Sequence, residues 1–112
     1  MTDLLLVLTT APQDEAERLA RTLVDERLAA CVNIHAPMTS VYRWKGAVET
    51  DAEQQLVIKT TRDRLEAVVS TLLALHSYEL PELLVVPVAT GSEAYIEWVK
   101  RETSPREPQA GL

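Results

Sequence analysis

Two short runs of this chain are apolar at every position, Leu4-Leu5-Leu6-Val7-Leu8 near its start and Leu83-Leu84-Val85-Val86-Pro87-Val88 near its end. Successive side chains of a β-strand point to opposite faces, so a run without polar alternation needs cover on both sides of its sheet. Neither run approaches the roughly 20 apolar residues of a membrane span. Both therefore read as strands of a protein interior. Pro87 has no N–H to give to a ladder and directs the second run to a sheet edge or a bulge.

Between the runs the period changes. After Pro12, which suits the first position of a helix, Ala16, Leu19, Ala20, Leu23, Val24 and Leu28 recur at helical spacing as one apolar stripe, with Asp14/Arg18 and Glu17/Arg21 placed as i, i+4 pairs outside it. Cys31 to His35 and Val41 to Gly46 then alternate as strands, and Gln55 to Thr60 returns as a third extended segment. Gly46 and the polar stretch Glu49-Thr50-Asp51-Ala52-Glu53 supply the reversal. Thr61 is placed to cap a second helix whose stripe is Leu65, Val68, Val69, Leu72 and Leu73, continued by His76. The chain breaks at Ser77 to Pro81, and Ser92 is placed to cap a short last helix containing Tyr95 and Trp98. This order predicts an α+β fold, a ferredoxin-like βαββαβ sandwich with an additional C-terminal helix. The expectation is one domain over residues 1–103 and a flexible tail over 104–112.

Right-handed crossovers put both long helices on the same side of such a sheet. The other side then lacks cover, and Leu5, Val7 and their neighbours on the last strand are expected to lie bare there. Apolar patches of that kind mark interfaces, and a second copy of the chain is the simplest partner. A 112-residue domain buries only about two-thirds of the surface its unfolded chain exposes, so burial gained by association weighs heavily. The competing expectation is that the C-terminal helix, through Tyr95, Trp98 and Val99, folds across this face instead. The pattern does not choose between dimer and trimer.

Seventeen acidic residues against eleven Lys and Arg leave a net charge of -6, a field that disfavours nucleic acid and anionic lipid as partners. The single cysteine, Cys31, cannot form an intramolecular disulfide, and no secretory signal pattern opens the sequence, so a cytoplasmic location is expected.

Cys31, Asn33 and His35 share a strand face, while His76 stands just before Tyr78-Glu79-Leu80-Pro81-Glu82. Thiolate, imidazole and carboxylate are transition-metal ligands. No C-x-x-C, H-x-x-x-H or H-x-H spacing occurs, so a metal site would have to be assembled across loops or subunits. The alternative readings are a small interface residue for Cys31, a helix C-terminal cation for His76, and packing for Trp44, Tyr42, Tyr78 and Trp98. A Cys/His pair oriented by Glu79 or Glu82 would activate a thiolate, but nothing in the spacing singles it out, and phosphate-loop and nucleophile-elbow motifs are absent. No enzymatic activity is expected.

Four motifs, Ala29-Ala30-Cys31-Val32-Asn33-Ile34, Val41-Tyr42-Arg43-Trp44-Lys45-Gly46, Glu53 through Leu56-Val57-Ile58-Lys59-Thr60, and His76-Ser77-Tyr78-Glu79-Leu80-Pro81-Glu82, resemble the CutA family of divalent-cation tolerance proteins from about Leu5 to Trp98. The resemblance implies a homotrimer of ferredoxin-like subunits, similar in build to the PII signalling proteins, with strand edges joining subunits and clefts between them. It further implies tolerance of divalent cations, especially copper, and binding of such ions, with no obligatory cofactor and Cu(II) or another divalent cation as the ion. Carried over by position, the cleft residues are Cys31, Glu53, Lys59, His76, Tyr78 and Glu79, of which Cys31, His76 and Glu79 are the metal candidates. Family members usually carry proline where this chain has Ser77. The alternative function is a trimeric scaffold or signalling module that binds protein partners without metal, through the acidic face of the first helix around Glu15, Glu17 and Asp25.

Overall fold

Strand β1 (Leu4–Ala11) takes the centre of the sheet, and both of its edges are occupied. In the computed structural model, which describes residues 1–105, β4 (Ala47–Thr61) runs antiparallel along one edge from Leu4↔Thr61 to Ala11↔Gln54. Along the other runs β5 (Leu84–Pro87), from Leu5↔Pro87 to Leu8↔Leu84, an edge strand as Pro87 requires. β2 (Cys31–Ile34) pairs with the far side of β4, from Cys31↔Lys59 to Ile34↔Leu56. The resulting order β2-β4-β1-β5 makes β1 parallel to β2 across β4, and β4 parallel to β5 across β1. Helices α1 (Gln13–Asp25) and α2 (Leu65–Leu75) fill the two crossovers, which is the ferredoxin-like α+β arrangement.

Parity on the apolar strand differs from the expected one. Leu5 and Val7 are 2% and 0% exposed because they face the helices, Val7 in one core with Leu23, Leu28, Ile58, Val68 and Leu72. The register partners of these odd-numbered residues on the same side are even-numbered on β4, as in Val7↔Ile58. The helix-free face instead carries Leu6, Leu8 and Val57, all half-buried.

Helix ends also differ from the sequence stripes. α1 stops at Asp25 because Arg27 adopts a left-handed backbone (φ 60°), after which the N–H groups of Leu28 and Ala29 both bond to the Leu23 carbonyl. Leu28 is thus buried from the returning loop and not from the helix. On the outer face Arg18 pairs with Glu15 at 3.5 Å, in place of the expected Asp14, while Arg21 pairs with Glu17 at 3.4 Å. Thr61 makes no side-chain cap; a short 3-10 turn at Arg62–Arg64 precedes α2, and Leu73 lies 55% exposed.

The reversal expected over Gly46 and Glu49 to Glu53 is confined to Lys45 and Gly46, both at positive φ (48° and 84°). A two-residue turn of this hand matches the twist of the strands it joins. β3 (Met38–Trp44) therefore pairs with the front half of β4, from Trp44↔Ala47 to Met38↔Glu53. β2 and β3 line one edge of β4 in succession, like a single strand broken at His35–Pro37.

α3 (Glu93–Glu102) starts at Ser92, whose hydroxyl accepts the Tyr95 N–H at 3.2 Å, as expected for its cap. It lies on the helix-free face, where Val99 is fully buried and the Tyr95 ring sits 5.8 Å from the Lys59 ammonium. The competing expectation is thus realised at one end of that face only. Leu84 and Val86, at the other end, stay 56% and 41% exposed. Ser104, expected to open the tail, is held: its carbonyl accepts from Arg27 Nε at 2.8 Å. The rest of that tail, from residue 106, lies outside the described residues.

Candidate functional site

α2 ends because His76 turns to extended backbone (φ −72°, ψ 138°) while its N–H still closes the last turn on Leu72. The imidazole then reaches across to β1, with Nε2 2.6 Å from the Thr10 carbonyl. A carbonyl only accepts, so Nε2 carries the proton. Nδ1 accepts the Tyr78 N–H at 3.1 Å, which fixes the neutral tautomer. His76 is therefore turned away from the carbonyls of the helix end: it closes the loop that follows, and both of its ring nitrogens are engaged.

That loop is tied at several further points. The Tyr78 ring packs on His76 with centroids 4.7 Å apart, and its hydroxyl donates to Glu53 Oε1 at 2.9 Å. Burial, and then the Glu53 hydrogen bond and charge, hold the Tyr78 phenol well above its usual range. Gln55 Nε2 donates to the Thr9 carbonyl at 2.8 Å and to Glu82 Oε2 at 2.9 Å. Ser77, where proline is usual, donates its hydroxyl to Glu15 of α1. Next along the hairpin, Tyr42 donates to Asp51, and that hydrogen bond, followed by slight desolvation and the nearby carboxylate charges, pushes its phenol up to about 12.

Glu53, His76 and Tyr78 thus meet in one polar cluster at the base of the hairpin. Glu79 follows in sequence but turns outward to Lys45 at 3.7 Å, both side chains well exposed. Cys31 and Lys59 lie directly opposite each other at a different place on the sheet. Gln55, the partner of Thr10, stands four residues from Lys59 along β4, about 13 Å at strand rise. Cys31 consequently does not meet His76 within one chain; its Sγ accepts from the Asn33 amide at 3.9 Å. His35 lies beyond β2 and is exposed. Among the described residues no group of three or more His, Cys, Asp or Glu side chains is placed to hold a metal ion. The expected set Cys31, His76 and Glu79 does not fit an ion inside one subunit, nor does a Cys31/His76 catalytic pair form there.

The sequence reading did not single out the Thr10 carbonyl or Gln55 for this cluster, nor Tyr42 and Asp51 for the pair beside it. Asp51 was reachable, since it shares a β4 face with Glu53; the carbonyl had no signal at all.

The family model for the CutA1 divalent ion tolerance protein matches residues 5–102. The chain belongs to the CutA1 family. The crystal structure of CutA from Xylella fastidiosa superposes with a TM-score of 0.89 at 42% identity, covering 92% of this chain and 100% of that one. A PII-like protein CutA from Nostoc sp. PCC 7120, in apo form, gives 0.86 at 39% identity over 91% of this chain and 99% of that one. The chloroplastic protein CutA of Arabidopsis thaliana is 43% identical over 100 residues, and the chain spans 55% of its length. The CutA1 match thus begins at Leu5, where the motif likeness begins, and runs four residues past Trp98 to Glu102, through α3. A PII-like relative also shares the fold read from the strand order.

Proposed function

We propose that this CutA1-family chain acts as a cytoplasmic homotrimer on the PII-like plan, contributes to tolerance of divalent cations such as copper, and holds a cation or a small ligand in clefts between subunits, without catalysis. The observation that carries the reading is that the chain leaves work for a neighbour. Leu84 and Val86 stay exposed beside Leu8 and Val57, and the β3–β4 hairpin projects from the sheet with most of residues 38–53 exposed. The Cα radius of gyration is 15.6 Å and the longest extent 57 Å, against about 13 Å expected for a compact chain of this length.

The separation of Cys31 from His76 supports the same reading, since a cation bound by these residues has to be held between copies. The single free thiol fits a reducing compartment. The scaffold alternative gains nothing from α1, where Glu15 and Glu17 are already paired with Arg18 and Arg21.

Sedimentation at micromolar concentration is expected to give three times the 12.5 kDa chain mass; a stable lone subunit rejects the reading. Titration with Cu(II) tests the ion separately. Cys31→Ala is the cleaner variant because His76→Ala also cuts the loop, and binding unchanged in both rejects these ligands.

A further inference from the structure

The chain has three lysines, and two of them are paired, Lys45 with Glu79 and Lys100 with Asp3 and Glu97. Lys59 is not. None of the ion pairs or side-chain hydrogen bonds among the described residues includes its ammonium, although its side chain is half-buried at the middle of β4. It stands on the helix-free face with Leu6 opposite on β1 and Cys31 opposite on β2. Above it lies the Tyr95 ring of α3, 5.8 Å from Nζ. Residues directly opposite on neighbouring strands have Cβ atoms about 5 Å apart, so the ammonium emerges between two apolar walls and under an aromatic roof. Asn33, two residues along β2 from Cys31 on the same face, supplies an amide at the rim.

A charge on a half-buried side chain without a counter-ion among the described residues is costly, even in a chain whose net charge is -6. An aromatic face offsets part of that cost and leaves the remaining N–H donors free. We infer that Lys59 is the charge-reading residue of a ligand subsite, and that its ligand is a small organic monoanion, a carboxylate carried on an apolar body. One ammonium with one amide matches one carboxylate. A polyphosphate needs several cations or bidentate arginines, and the acidic field of the whole chain repels multiply charged anions most. Leu6, Cys31 and Tyr95 suit an apolar body and offer little to a sugar or a second charge.

The inference deepens the cleft reading and rests on it for the placing of Lys59 in a ligand cleft, but the experiment separates the two. Benzoate is titrated into the full chain by calorimetry, with benzamide as its neutral isostere, and the mass of each sample is followed by sedimentation. Benzoate is expected to bind more tightly than benzamide by about tenfold, the factor one charge-assisted hydrogen bond supplies. Lys59→Met is expected to bring the two ligands level, and Lys59→Arg to keep the preference.

Equal binding of benzoate and benzamide by the wild-type chain overturns the proposal, and this comparison needs no variant to fold. Loss of assembly in Lys59→Met with the benzoate preference intact also overturns it and gives the ammonium to a subunit contact. A monomeric wild type that still prefers benzoate retains the carboxylate subsite and removes the trimer.

Discussion

Arg27 does two opposed things. Its backbone sits at φ 60°, a conformation that costs a non-glycine residue roughly 1–2 kcal/mol. Its guanidinium reaches α3 and donates to the Arg101 carbonyl at 2.7 Å and the Ser104 carbonyl at 2.8 Å, with Glu102 at 3.7 Å. Arg27→Ala keeps the strain and loses the clamp, so it is expected to destabilise by about 2 kcal/mol; Arg27→Gly loses the clamp but relieves the strain and is expected to cost about half of that. Urea unfolding of the pair separates the contributions. If the two variants are equal, the backbone carries no strain. Tyr42 and Tyr78 make a pH prediction. Both phenols are raised, Tyr42 to about 12, so above the ordinary tyrosine value near 10 the unfolded chain releases protons that the folded chain keeps. Stability is therefore complete below about pH 10 and falls as pH climbs through the folded values. Tyr78→Phe is expected to flatten the upper part of that fall in denaturant midpoints measured from pH 9 upward. None of these partnerships was legible from residue types: His76, Tyr78 and Glu53 were visible as candidates, but the Thr10 carbonyl that orients the ring carries no side-chain signal.

At the scale of elements, what could be read depended on contrast between polar and apolar positions. α1, α2 and the Ser92-capped α3 showed themselves because one face of each is unlike the other. β1 was recognised as a strand and assigned the wrong parity, because Leu4 to Leu8 offers no alternation from which to tell the helix side from the other. The front half of β4 was read as a loop for the opposite reason: Glu49 to Ala52 is exposed on both faces, so nothing apolar marks its period. The turn is a better guide there. Gly46 at φ 84° has open space where a Cβ would be, so Gly46→Ala meets no atom and its penalty is purely conformational, about 1 kcal/mol. Thermal unfolding is expected to drop by several degrees. An unchanged midpoint means that Lys45 and Gly46 are not held in the two-residue turn.

The whole molecule poses one question that its parts do not: why an acidic chain keeps an apolar strip in water. α3 covers the end of the helix-free side near Leu4 and Thr61, both buried, and stops short of β5. Leu84 and Val86 point outward from that strand in register with Leu8 and Leu6. The trimer reading and the carboxylate reading make different demands on this surface, since Lys59 lies toward α3 and the bare strip lies toward β5. A charge at Leu84 and another at Val86 therefore test assembly without replacing Lys59, Tyr95 or Asn33. In a lone subunit these side chains are substantially hydrated, and substitutions at such positions usually alter stability by about 0.5 kcal/mol or less. Closed between subunits, the same charges are buried without partners, which costs several kcal/mol per contact and is repeated at each interface of a symmetric ring. Leu84→Glu with Val86→Glu is thus expected to sediment as a 12.5 kDa chain at concentrations where the wild type is assembled, with far-UV circular dichroism unchanged. Retention of the wild-type mass would place the subunit contact elsewhere on the molecule, with the projecting hairpin as the next surface to charge.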